Sequence, residues 1–184
     1  SRGLGDVYKR QVLHTWLRPG NTGAGRDVVE FLKEALKILP VGLKIRCVRA
    51  DSGFFDQKLL GFLEERGLSY IVVARLAGPL KGVLAGIRQW TVVEGAYEVS
   101  ELRIKLASWN VERRFVVLRE RIREGKEAVG RKLLDVPGYT YRVWVTSRTE
   151  SAVEIWRDYN GRATVEQRIE EMKNDLHADG FCTK

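Results

Sequence analysis

Cysteine, histidine and long apolar runs are what this sequence has least of. Its 184 residues include two cysteines, Cys47 and Cys182, and two histidines, His14 and His177. Two cysteines are too few for a disulfide scaffold, and neither has a second ligand residue at zinc spacing, so a reducing cytoplasm fits best. With so few histidines there is no constellation of Ser, His and Asp for nucleophilic catalysis, and both histidines read as structural. No run of about 18 apolar residues occurs, and the N-terminus has no charged-then-apolar signal pattern, so neither membrane spanning nor secretion is expected. The stretch "GNTGAG" carries three glycines with no Lys-Ser or Lys-Thr behind it, which rejects a nucleotide-binding loop.

Positive charge, by contrast, is abundant. Lys and Arg total 32 against 24 Asp and Glu, a net charge of +8, with a pI near 9.7. That balance favours a polyanionic partner, nucleic acid first. The length suits one domain with a real core and a small inserted lobe.

Residues 1–11, "SRGLGDVYKRQ", have no apolar periodicity and resemble an adaptor-derived translation, so they are set aside as non-native. "QVLHTWLRPGN" reads as a strand ending at a Pro-Gly-Asn turn. The helix "GRDVVEFLKEALKILP" follows, its apolar residues at helical spacing and Pro40 as the stop. Then come a strand, "LKIRCVRADSGFF", breaking at Asp51-Ser52-Gly53, a helix, "DQKLLGFLEERG", and a strand, "SYIVVAR". This alternation predicts an α/β sheet with packed helices. After Arg75 the pattern changes to period 2: "EGAYEVSELRIKLASW" and "VERRFVVLRERI" predict an antiparallel hairpin turning near Asn110. "REGKEAVGRKLLDVPG" reads as a charged loop, "YTYRVWVTS" as a strand, and the segment from Thr149 as one long helix or two meeting near Asn160-Gly161. The predicted organisation is an α/β core over residues 12–77 and 139–184, with a β-rich insertion over 78–138.

The candidate chemistry lies at strand ends and on the last helix. Asp51 falls at the carboxyl end of a core strand, where open α/β sheets place ligands; the plainer reading is a turn or helix-cap residue. In "YNGRATVEQRIEEMK", residues 159–173, Tyr159, Arg162, Glu166 and Lys173 fall within an arc of roughly 60° on one helix face. Taken singly, Glu166, Arg162 and Lys173 read equally as a solvated face, and Tyr159 as helix packing.

Together these residues resemble the Y-x2-R-x3-E-x6-K signature of bacterial insertion-sequence DDE transposases. "RADSGF" is similar to the segment holding that family's second catalytic Asp, and "LRPGN" and "YRVWVTS" resemble two further segments, so the likeness runs over residues 12–176. It implies a ribonuclease-H-like mixed sheet with flanking helices and a β-strand insertion before the catalytic Glu. It further implies that Asp51 and Glu166 are two of three carboxylates holding a pair of Mg²⁺ or Mn²⁺ ions, for strand cleavage and then strand transfer. Arg162, Lys173 and Tyr159 become phosphate contacts on double-stranded DNA, at transposon ends and target. Trp109, near the hairpin turn, becomes a residue that stacks on a displaced base, with sheet packing as its other reading and Trp90 as its rival. A homodimer and a nucleoid-associated place in a bacterial cytoplasm follow from the same resemblance. The first carboxylate of the family belongs upstream, where only Asp6 stands, inside the segment set aside. The chain is therefore expected to be an internal fragment that cannot complete the metal site by itself. Two other readings are a relative that binds DNA without cutting it and an unrelated α/β interaction protein.

Overall fold

The computed structural model describes residues 14–16, 25–122, 131–133 and 136–160. Within them lie strands β1 (Cys47–Ala50), β2 (Ser69–Val73), β3 (Thr91–Glu94), β4 (Tyr97–Ile104), β5 (Arg113–Arg121), β6 (Arg131–Leu133) and β7 (Val136–Thr146). The helices are α1 (Val28–Lys37), α2 (Gln57–Glu65), α3 (Pro79–Ala85) and α4 (Ala152–Asn160). All seven strands join one sheet in the order β1-β2-β7-β5-β4-β3, with β6 paired to β7 off that path. β1 and β2 run parallel in the register Cys47 to Ser69, and every other pairing is antiparallel.

The parallel pair exists because α2 carries the chain back between its two strands. Asp56 starts that helix: one carboxylate oxygen accepts from the backbone N–H groups of Lys58 at 2.8 Å and Leu59 at 3.3 Å. Gly67, at φ 64°, ends it. Its N–H donates to the Glu64 carbonyl at 3.0 Å and that of Leu68 to the Leu63 carbonyl at 2.9 Å, a paired closure that an αL residue permits. Between these signals Leu59, Leu60, Phe62 and Leu63 are all buried.

Strand alternation divides the core between two faces. Tyr70 and Val72, Phe115 and Val117, and Tyr141, Val143 and Val145 point to the side covered by α1, α2, α3 and the loop holding Trp109. Ile71, Val116, Leu118 and Trp144 point to the other, where Ile155 and Trp156 of α4 close over them. β2 is buried on both sides, which is why "SYIVV" reads as a continuous apolar run.

The α/β sheet, α2, β2 and the antiparallel β4–β5 pair stand as the residue patterns predict. Three differences have local causes. Residues 43–46, predicted as the start of β1, are unpaired because β2 supplies partners only from Ser69 onward. The loop between β4 and β5 spans 105–112, so Asn110 lies in a longer excursion whose backbone N–H donates to the Gln57 side chain at 2.7 Å. The stretch 131–138, read as loop, contributes β6 and the start of β7. The strands of the 78–138 segment continue the same sheet, β5 pairing with β7 from Arg114–Thr146 to Arg121–Tyr139. Residues 14–16 show no strand, and the rest of that predicted strand lies outside the described residues.

Candidate functional site

Asp51 directly follows β1, at the carboxyl edge of the parallel pair, and is exposed. Its Oδ1 accepts from the Gly53 backbone N–H at 2.8 Å, opening a single 3₁₀ turn over Ser52–Phe54. The turn role and an exposed carboxylate therefore coexist in one residue. Arg75, just past β2 at the same edge, donates from Nη2 to the Ser52 carbonyl at 3.3 Å, bringing an exposed guanidinium to the turn. Gly25 also approaches: a Cβ there would stand 3.0 Å from the Gly53 carbonyl oxygen, so the chain entering α1 passes close to the turn because residue 25 has no side chain.

By strand alternation Asp51 shares its side of the sheet with Cys47 and Arg49. That is the side covered by α4, since Cys47 packs against the cluster of Ile71, Trp144, Ile155 and Trp156. α4 starts at a reciprocal cap. Ser151 Oγ accepts from the Glu154 N–H at 3.3 Å, and Glu154 Oε2 accepts from the Ser151 N–H at 3.0 Å and from its hydroxyl at 2.6 Å. These hydrogen bonds lower the Glu154 pKa, that from the Ser151 hydroxyl most. Arg148 then grips both ends of the segment, with Nε and Nη2 on Glu150 Oε1 at 3.0 and 2.6 Å and Nη1 on the Asp158 carboxylate. The Arg148 guanidinium, followed by the backbone N–H of Glu150 itself, holds the Glu150 pKa down to about 2.

Tyr159 is half-buried at the end of α4, its ring 5.5 Å from that of Trp144. This contact supports the helix-packing reading of Tyr159. Glu166, Arg162 and Lys173 lie outside the described residues. Trp109 is only 6% exposed. Its ring lies 5.1 Å from Phe55 and 5.8 Å from Phe115, with the Arg113 guanidinium 4.9 Å over it. Those contacts support the packing reading of Trp109 and leave little of the indole open to a base. Trp90 is likewise engaged, with Arg119 4.1 Å above its ring and its own N–H on the Ile87 carbonyl at 3.2 Å.

On the side covered by α1, α2 and α3 lies a groove of about 540 Å³, walled by Phe55, Leu80, Leu106 and Trp109 and edged by Asp56, Lys58 and Arg75, the last of which also reaches the Ser52 carbonyl of the Asp51 turn. Among the described residues neither of those cations meets a carboxylate within ion-pair distance. Sequence reading missed Arg49 and Arg75. The signal for Arg49 was its period-2 spacing from Asp51, whereas nothing local marks Arg75 apart from its place at a strand end.

The chemistry of Asp51 suits a hard divalent cation: a carboxylate at the surface, with one oxygen engaged by a backbone N–H and hard oxygen donors facing solvent. Among the described residues no three His, Cys, Asp or Glu side chains converge.

The parallel β-α-β unit within an otherwise antiparallel sheet makes this a mixed α/β protein, with an exposed acid at the carboxyl edge of the parallel pair. Residues 6–184 match the family described as Transposase DDE domain group 1, and the chain belongs to that family. No curated protein matches the chain. The mixed sheet with its four described helices is compatible with a ribonuclease-H-like DDE fold. Membership points to transposase activity, with DNA as partner and divalent metal ions as the family's usual cofactors. No described helix is long and apolar enough to cross a membrane.

Proposed function

We propose that this chain is the catalytic part of an insertion-sequence DDE transposase, in which Asp51 and Glu166 are the second and third metal-binding carboxylates. The observation that carries this reading is the position of Asp51. It is an exposed acid at the carboxyl edge of β1, on the sheet face covered by α4, and α4 is the element from which the chain runs on toward Glu166. The ribonuclease-H-like assignment, with residues 12–77 and 139–184 as core and 78–138 as insertion, goes with the same reading.

In this proposal Asp51 and Glu166 offer hard oxygen ligands to Mg²⁺ or Mn²⁺. Two bound ions would activate water and stabilise the leaving oxygen of an in-line displacement at phosphorus. The chain's own side chains do the holding: Arg162 by a forked pair of donors, Lys173 as a point charge and Tyr159 by its neutral hydroxyl. Arg75 and Lys58 extend a basic lining along the groove that they edge. A DNA-bound homodimer at the nucleoid fits the activity. This reading assigns two of the three carboxylates, and metal-dependent nicking of DNA by residues 12–184 alone would show that the third is also among them.

In the full-length protein, Asp51→Asn and Glu166→Gln should each abolish metal-dependent cleavage of an element-end duplex while sparing most DNA binding. Cleavage that survives either change removes the metal roles. A second reading, DNA binding without cleavage, is favoured by the net charge of +8 alone. It would be adopted if the full-length protein bound element ends and never cut them. Family membership removes the reading of an unrelated interaction protein.

A further inference from the structure

The Gly53 N–H donates to Asp51 Oδ1 at 2.8 Å, the hydrogen bond that the described residues give this carboxylate. That N–H shares a planar peptide unit with the Ser52 carbonyl, so whatever fixes the carbonyl also aims the N–H. The Ser52 oxygen accepts from the Phe55 N–H at 3.4 Å, within the turn, and from Arg75 Nη2 at 3.3 Å, from beyond β2. The next carbonyl, that of Gly53, faces the chain entering α1, where a Cβ on Gly25 would stand 3.0 Å from its oxygen. Two segments remote in sequence therefore meet the turn that presents Asp51, each at one carbonyl group. The approach of Gly25 goes with local strain. Asp27, two residues further on, sits at φ 56°, a left-handed conformation uncommon for a residue with a Cβ. It is the N-cap of α1, yet its carboxylate makes no cap hydrogen bond, whereas an aspartate there ordinarily caps from an extended backbone. The chain forgoes that cap where it passes the Asp51 turn, and strain of this kind persists when the surrounding structure fixes it.

We propose that Arg75 and Gly25 are positioning residues of Asp51, holding its carboxylate ready for a divalent cation by pinning the two carbonyl groups of its turn. The proposal rests on the reading of Asp51 as a metal ligand. β1 ends at Ala50, so the strand ladder stops one residue short of Asp51, and the turn sets the direction of the carboxylate. A guanidinium suits the first contact because it is always charged and its planar fork presents donors in fixed directions. Nη2 serves the turn, and the remaining donors are left for a phosphate. At the second contact a side chain on residue 25 would push the Gly53 oxygen by a few tenths of an ångström, and the shift reaches Oδ1 within one residue. Loss of either contact leaves Asp51 in place and loosens its aim, as when the outer partner of a metal ligand is removed.

The test uses the full-length protein without DNA and compares Gly25→Ala, Arg75→Lys and Asp51→Asn. Mn²⁺ affinity, hydrogen exchange of the Gly53 amide and thermal melting are measured on each. Gly25→Ala adds no charge, and Arg75→Lys keeps the charge while losing the planar fork, so neither changes the field at the site. Each should weaken Mn²⁺ binding by about tenfold, the lower end of the loss seen when the outer partner of a metal ligand is removed. Each should also speed exchange at the Gly53 amide, with an unchanged melting temperature. If Gly25→Ala fails to fold, Arg75→Lys carries the test. Native Mn²⁺ affinity in the folded variants overturns the proposal. So does a loss of affinity with faster exchange throughout β1 and α2, which would make both residues supports of the fold and not of the carboxylate. If Asp51→Asn binds Mn²⁺ as tightly as the native chain, the reading of Asp51 as a metal ligand has itself failed, an outcome distinct from a failure of Arg75 and Gly25.

Discussion

Arg113 at the start of β5 closes on Glu64 at the end of α2 through two parallel hydrogen bonds, Nε to Oε1 at 2.7 Å and Nη2 to Oε2 at 2.8 Å. The Tyr70 hydroxyl donates to the same Oε1 at 2.6 Å, so strand β2, helix α2 and strand β5 meet at one carboxylate. The Arg113 side chain is 5% exposed and Glu64 34% exposed, so the guanidinium is the enclosed partner of the pair. Glu64→Gln leaves a buried guanidinium without its counter-charge. Breaking a buried pair from one side costs about 3–5 kcal/mol, and the partial exposure of Glu64 moves the expectation to about 2–3 kcal/mol. Urea unfolding of the single variant checks it, and a loss under about 0.5 kcal/mol would show that solvent already screens the pair. The double variant Glu64→Leu with Arg113→Met should lose less than the single one, because both charges leave together.

The same pair sets the acid limb of stability. Burial opposes ionisation of Glu64, yet the hydrogen bonds from Arg113 and Tyr70 outweigh it and hold the carboxyl below its ordinary range. A group whose folded pKa is lowered contributes fully above its unfolded value, about 4.3 for Glu, and loses that contribution as pH falls through the folded value. Glu150, held near 2 by Arg148, adds in the same direction at a more exposed position. The melting-temperature difference between the native chain and Glu64→Gln should therefore be constant above about pH 5 and shrink steadily below about pH 4. A difference that grew on acidification would reverse the assignment.

How much of this was legible in the residues depends on how local the cause is. α2 could be read from Asp56 at one end and Gly67 at the other, with Leu59, Leu60 and Leu63 between, because capping and helical spacing act within a few residues. The β4–β5 pair could be read from period-2 alternation for the same reason. α3 was not read: it is seven residues long, opens on Gly78-Pro79 and carries Gly82 inside, so it has too few positions to show a period. The true start of β1 depended on how far β2 reaches alongside it, which no property of residues 43–46 encodes. At the site, the turn chemistry of Asp51-Ser52-Gly53 marked the position of the acid. The ties of Arg49 to Asp158 and of Arg75 to Ser52 are products of packing, and only the folded chain brings them into view.

Trp109 offers a direct comparison of two roles for one aromatic. If its indole is a packing residue between Phe55 and Phe115, Trp109→Ala removes a buried ring and should destabilise the fold by about 3–5 kcal/mol. Trp109→Phe should recover much of that, and neither change should alter the affinity for an element-end duplex once measured below the melting temperature. A base-stacking role predicts the opposite balance, with little change in melting and a loss of about 1–3 kcal/mol in binding to DNA with an unpaired base. Melting curves and binding isotherms on the two variants decide between them.

DNA contact along the groove edged by Lys58 and Arg75 has its own signature. Arg75 and Lys58 edge that groove with no carboxylate partner among the described residues, so each is available to replace a counterion on a phosphate. Binding of the chain to duplex DNA should then weaken steeply with salt, and Arg75→Ala should reduce the slope of log K against log salt by about 0.9. Lys58→Ala should do the same, and the double variant should lose about twice as much, since phosphate neutralisations add when each releases its own counterion. The loss should be equal on element-end and unrelated duplexes, because a phosphate contact carries no base readout. A filter-binding series at several salt concentrations measures all three slopes. An unchanged slope in the double variant would move the DNA path away from this groove, while a loss confined to element-end duplexes would make Arg75 a reader of sequence.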